Sequence, residues 1–163
     1  ENGKLEPSSK YGKTKLLSEK YLKKKFQKNK IKYCIGRIFS FTHLKQDKSF
    51  LVPGLFKKIK KSNFKNIKLK NLDHYRDFLS TKDIIKAIEI LCIRQNMGVY
   101  NIGSGRKISL NKIAYFFSKK FNKNISFSKS LNQTSFLISN NSKLLKTGWR
   151  PKIKFIRELE KFL

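Results

Sequence analysis

Residues 7–22 read PSSKYGKTKLLSEKYL. A Pro-Ser-Ser turn leads into a segment where Leu16, Leu17, Leu22 and Phe26 recur at helical spacing, so a helix is expected from about residue 10 to 28. Tyr11 and Lys15 stand four apart and share one face of it. A tyrosine hydroxyl ordinarily titrates near 10 and is a poor base at neutral pH. An ammonium about 4 Å away, at an effective dielectric of about 20, favours a phenolate by up to about 4 kcal/mol. Such a pair is therefore suited to proton transfer. In a chain with 33 Lys the spacing alone is also met by an incidental helix surface, so its surroundings decide the reading.

Working outward, "IKYCIGRIF" (31–39) reads as a buried strand. Pro53-Gly54 is expected to open a short helix through Phe56 and Ile59, and "NIKLK" (66–70) alternates like an exposed strand. "STKDIIKAIEILCIRQ" (80–95) is the clearest helix, capped by Ser80 or Thr81, with Ile84, Ile85, Ile88, Leu91 and Cys92 expected inward. "VYNIG" (99–103) is a strand that runs into a tight Gly103-Ser104-Gly105 turn. Ser109 then caps a helix through Ile113, Phe116 and Phe117. The Walker spacing is absent, so this turn is not a phosphate loop. A weak strand at 125–128 and a short helix stopped by Gly148 follow. A last helix after Pro151 is expected to point Phe155, Ile156, Leu159 and Phe162 inward. Strands alternating with helices at this spacing imply an α/β fold.

The composition limits the function classes. With 163 residues, 39% hydrophobic and 14 Phe, the chain has enough apolar side chains for one compact core. No apolar run approaches a membrane span, and no partner membrane or secretory signal is indicated. Cys34 and Cys92 are isolated, and His43 and His74 lie in no carboxylate or Cys cluster, so no disulfide framework and no metal site is expected. A reducing cytoplasm fits this pattern. The net charge of +29 permits nonspecific binding of polyanions such as nucleic acid. Only six of the cations are Arg, however, and they are spread along the chain, which is unlike a dedicated base or phosphate reader.

Five stretches, in order, give a sharper reading. Pro7, Tyr11, Gly12, Lys15 and Glu19 match, in register, the Tyr-helix of extended short-chain dehydrogenases/reductases, the NAD-dependent epimerase/dehydratase family; Thr14 stands where that family usually has Ser. "GRIFSFTH" (36–43) resembles its R-x-F-N-x-x-G segment through Arg37 and Phe39, with Ser40 for the usual Asn and His43 for the usual Gly. "FLVPGLFKKI" (50–59), "NLDHYRDFLSTKDIIKAI" (71–88), and "GVYNIGSGRKISLNKIA" (98–114) with "TGWRPKI" (147–153) are similar to its later segments. Their combination looks most like the branch of GDP-4-keto-6-deoxymannose reductases and GDP-mannose 4,6-dehydratases.

The resemblance implies an NAD(P)-dependent nucleotide-sugar oxidoreductase, epimerase or dehydratase acting at C4 of a nucleoside-diphosphate hexose, possibly GDP-linked. Tyr11 would be the catalytic acid/base and Lys15 its tuning cation and ribose ligand. Tyr11, Lys15, Ile38 and Phe39 would hold NAD or NADP. Ser40, Val52 and Arg76 would contact the substrate, with Arg76 on its diphosphate, while Asp77 and Asp83 would organise a turn and a helix start. A guanidinium fork suits a phosphate on physical grounds alone, and Asp77 beside it can hold a neighbouring basic group or cap, although a surface Arg76–Asp77 ion pair is the plainer reading.

The family's G-x-x-G-x-x-G turn, which cradles the pyrophosphate, has no counterpart in this sequence. The expectation is therefore the C-terminal half of such an enzyme: part of a Rossmann-type fold plus the small substrate lobe. Residues 1–49 and 81–103 would lie mainly on the Rossmann side, and 50–80 with 104–163 mainly in the sugar-nucleotide lobe. An intact member would be a homodimer. The rival expectation is a non-catalytic remnant or a basic polyanion-binding module.

Overall fold

The computed structural model describes residues 6–7, 9–128 and 133–163. Ser8 of the opening turn, and Glu1 of the acidic stretch before it, lie outside the described residues.

The first helix, α1 (Lys10–Lys28), starts where Ser9 accepts a hydrogen bond from the Gly12 amide at 3.0 Å. A Cβ at position 12 would lie 2.9 Å from Pro7 Cβ, so glycine lets the preceding turn fold back on the helix. No side chain of α1 is buried, and Leu17 and Tyr21 face outward. Its apolar stripe is only partly covered: Leu16 and Phe26 are half-buried, with the Phe26 ring centroid 5.5 Å from that of Tyr33.

Strand β1 (Cys34–Ile38) pairs in parallel with β6 (Gly98–Ile102), from Cys34 opposite Gly98 to Ile38 opposite Ile102. The buried strand expected here is instead half-exposed, alternating between partly covered and open positions. Among the described residues β1 pairs with β6 along one edge, and helix α3 (Thr81–Ile93) packs against the strand. Ser80, not Thr81, caps α3 by accepting from the Asp83 amide at 3.0 Å. Ile84, Ala87 and Leu91 face inward, whereas Ile85, Ile88 and Cys92, expected inside, are exposed. This helix is apolar nearly all round, so its sequence pattern does not fix which arc is covered. The buried arc meets Leu79, Tyr100, Ile102, Leu144 and Trp149 in one core cluster.

A second, larger cluster lies beneath α2 (Leu51–Lys60) and α4 (Leu110–Lys120). Helix α2 begins two residues before Pro53, which occupies the first turn, where a missing N–H breaks no intrahelical bond. β3 (Asn66–Lys70) and β8 (Asn124–Ser128) pair in parallel. β3 was expected to be exposed, yet Ile67 and Leu69 are buried beneath the two helices while their neighbours face water. Phe56 meets Phe117 and Phe162 with ring centroids 5.5 Å apart in each case. Ser109 occupies the N-cap of α4 without a side-chain bond; the Leu110 amide donates instead to the His74 carbonyl. In the last helix, α6 (Ile156–Glu160), Leu159 is buried, but Ile156 turns out to water. This helix is only five residues long, too short to bury both flanks.

Short strands join the two clusters. β2 (Ser40–Phe41) continues the line of β1 and pairs in parallel with β5 (Phe78–Leu79). β4 (Tyr75–Arg76) lies between β7 (Ile108–Ser109), antiparallel, and β9 (Phe136–Leu137), parallel. Helix α5 (Ser142–Leu145) is followed by Gly148 at φ +82°. The α/β expectation therefore holds, with strands paired largely in parallel and helices between them.

Candidate functional site

An open groove of about 760 Å³ runs between α1 and β1. Tyr11, Lys15, Gly36, Ile38 and Phe41 line it. The first turn of α1 sets Tyr11 and Lys15 on the rim, and Tyr11 is 74% exposed. Among the described residues the pair is thus open to water, which screens the interaction between the two groups.

The groove is fastened by residues whose physical role the sequence did not reveal. Arg37 donates to both carboxylate oxygens of Glu19, from Nε at 2.9 Å and from Nη2 at 2.7 Å. Lys23 adds a contact at 2.7 Å. The Arg37 guanidinium, outweighing partial burial, holds Glu19 down to about 2 from an ordinary 4.5. Arg37 is on β1 and Glu19 on α1, so the fork fixes the Tyr11 helix against the strand carrying Ile38.

The expected substrate residues lie further along the same chain path. The Phe39 amide donates to the Ile102 carbonyl, and the Ser40 amide to the Asp77 carbonyl, both at 3.0 Å. Ser40 therefore sits on a strand paired with the one that follows Arg76. Val52 does not join them: its side chain is 2% exposed and belongs to the larger core. Arg76 is half-buried, and burial lowers its pKa. Its Nη1 donates to the Tyr75 carbonyl at 2.7 Å and to Ser135 Oγ at 3.0 Å.

Among the described residues Asp77 pairs with neither Arg76 nor another cation and instead caps a turn. Fully buried, it accepts from the amides of Ser104, Gly105 and Ser139 and from the hydroxyls of Ser104 and Ser139. A Cβ on Gly103 would collide with Asp77 and Ser139, so the glycine admits the carboxylate to the turn. Asp83 does similar work: its two oxygens accept from the Lys152 and Ile153 amides at 3.1 and 3.0 Å, and its carbonyl accepts from Trp149 Nε1 at 3.1 Å. Ser139 and Trp149 are the positions that sequence reasoning did not connect to these acids, because no local spacing links residues more than 60 apart. His74 Nδ1 accepts from the Ser135 amide at 3.1 Å, and Asp73 stands 4.0 Å from its Nε2. His43 Nδ1 accepts from the Lys45 amide. Among the described residues, no group of His, Cys, Asp and Glu can hold a metal ion, and no helix is long and apolar enough to cross a membrane.

A family model described as GDP-mannose 4,6 dehydratase matches residues 1–161. No curated protein sequence matches the chain. Among solved structures, RMD from Pseudomonas aeruginosa, complexed with NADPH, superposes with a TM-score of 0.87 at 20% identity, covering 97% of this chain and 56% of its own. The dTDP-glucose 4,6-dehydratase of Bacillus anthracis, in complex with NAD, gives 0.84 at 20% identity, covering 99% and 53%. The UDP-glucose 4-epimerase of Thermus thermophilus, also with NAD, gives 0.79 at 20% identity, covering 96% and 55%. At these identities the likeness shows the fold, a Rossmann-type α/β arrangement. The chain spans a little over half the length of each of these proteins.

Proposed function

Because the chain belongs to the GDP-mannose 4,6 dehydratase family, within the NAD-dependent epimerase/dehydratases, we propose that it supplies the proton-transfer residues and part of the sugar-nucleotide lobe of an NAD(P)-dependent enzyme. That enzyme acts at C4 of a nucleoside-diphosphate hexose, which we read as GDP-linked. The observation that carries the reading is the groove in which Tyr11 and Lys15 stand together beside Ile38 on a helix fastened by Glu19 and Arg37. A phenol and an ammonium lining one open groove suit a nicotinamide riboside, the one giving or taking a proton and the other donating to ribose hydroxyls. Tyr11, Lys15, Ile38 and Phe39 would hold that part of the cofactor, which supplies hydride transfer when bound.

In the reaction, Tyr11 exchanges a proton with the C4 oxygen of the sugar. Lys15 steadies the charge left on the phenolic oxygen. Ser40 orients the sugar from the neighbouring strand, and Arg76 grips the diphosphate through a guanidinium that Tyr75 and Ser135 already hold in place. Val52 contacts the substrate through its backbone, since its side chain is in the core. We assign residues 1–49 and 81–103 mainly to the cofactor side, and 50–80 with 104–163 mainly to the substrate lobe. Leu79, Leu144 and Trp149 cross this division, packing with residues 84–102. The outward Leu17 and Tyr21 of α1 support self-association of the intact protein.

The test is conversion of GDP-hexoses, followed by chromatography of the sugar-nucleotide product, in a polypeptide carrying this chain. Tyr11→Phe should lower kcat by about 10²–10⁴-fold, the range typical of general acid–base catalysis. Wild-type turnover by that variant would overturn the assignment.

A further inference from the structure

A second cavity, of about 340 Å³, shares no lining residue with the Tyr11 groove. It opens between residues 104–108, α4 and residues 151–159. Its floor is apolar, made by Phe78, Ile113, Phe116, Phe155 and Leu159. Its rim carries Arg106, Lys107, Lys112 and Lys154, and no lining residue is acidic. We propose that this cavity binds an anionic amphiphile: an acyl or aryl chain ended by a carboxylate, sulfate or phosphate.

Three features select that chemistry. The volume is at the lower end of the range for small-molecule pockets, about 300–1,000 Å³. Among the described residues, the only polar side chain in the wall apart from the cations is Ser104, whose hydroxyl already donates to Asp77 and accepts from the Arg106 amide. A sugar or nucleobase would therefore find too few partners for its hydrogen-bonding groups, whereas an acyl or aryl chain needs none. The third feature is charge: four cations and, among the described residues, no acid line the cavity, although Lys107 Nζ rests 4.9 Å from the Tyr75 ring centroid, outside the lining. Lys112 projects from the first turn of α4, a helix start that no side chain caps and whose dipole favours an anion.

The experiment is calorimetric titration of the full chain with decanoate and, separately, with decanol. Saturable binding of about one decanoate per chain is expected, with decanol at least about tenfold weaker. Reversing the rim with Lys112→Glu and Lys154→Glu should weaken decanoate at least about tenfold, whereas Lys24→Glu with Lys28→Glu on α1 should leave it unchanged. Lys112→Gln, a milder change at an exposed position, should weaken it in the same direction, so a misfolded double variant does not end the test. Circular dichroism checks each variant. Equal affinity for decanol, equal loss from the α1 reversal, or no saturable binding overturns the proposal.

Discussion

Replacing Glu19 by Gln tests whether the fork on Arg37 holds the Tyr11 helix in place. The fall of Glu19 from 4.5 to about 2 corresponds to a ceiling of about 3 kcal/mol. The pair is partly buried between α1 and β1 beside an open groove, so residual solvent screening brings the expected contribution to about 1–2 kcal/mol. The carboxylate's pKa falls on folding, so its stabilisation is complete above about pH 4.5 and is lost as pH drops through about 2. Urea unfolding followed by circular dichroism, on wild type and Glu19→Gln across that window, reads the effect. The difference should be about 1–2 kcal/mol near neutral pH and shrink toward zero near pH 2. Asp47 is also held below its ordinary value, chiefly by the Ser49 amide, but both proteins share that term and it cancels. A difference that stays constant with pH, or none at neutral pH, would refute the reasoning.

Other outcomes follow from the same structure. Asp77→Asn turns an amide N–H₂ toward a ring of donors, and should cost about 3 kcal/mol or more in urea unfolding, or abolish folding. Phe117→Ala opens a cavity in the larger core and should cost about 3–5 kcal/mol by the same measurement. Tyr11→Phe should change stability by less than about 0.5 kcal/mol, because the side chain is exposed. The net charge of +29 predicts retention on a polyanion resin at low salt, with affinity falling steeply between about 50 and 200 mM.

Helices and strands were legible in the sequence wherever apolar spacing was one-sided. NIKLK shows the limit: its period of two marked a strand, but whether Ile67 and Leu69 are covered depends on α2 and α4, from elsewhere in the chain. α3 failed in the opposite way. With apolar residues nearly all round, its spacing allowed several faces, and contact with β1 and Trp149 chose the one through Ile84, Ala87 and Leu91. At the site, Tyr11 and Lys15 were legible because they are one turn apart. The partners of Asp77 were not, because Ser104 and Ser139 reach it across 27 and 62 positions. Arg37 and Glu19 could be placed by motif, yet their pairing appears only when the helix lies against the strand.

The central claim is that Tyr11 moves the proton in a nicotinamide-linked reaction on a nucleotide sugar. Its most direct measurement is the rate of GDP-hexose conversion by a polypeptide carrying this chain, wild type against Tyr11→Phe, with folding of both confirmed. The account predicts a loss of about 10²–10⁴-fold in kcat with unchanged stability. Equal rates for the two folded proteins would contradict it.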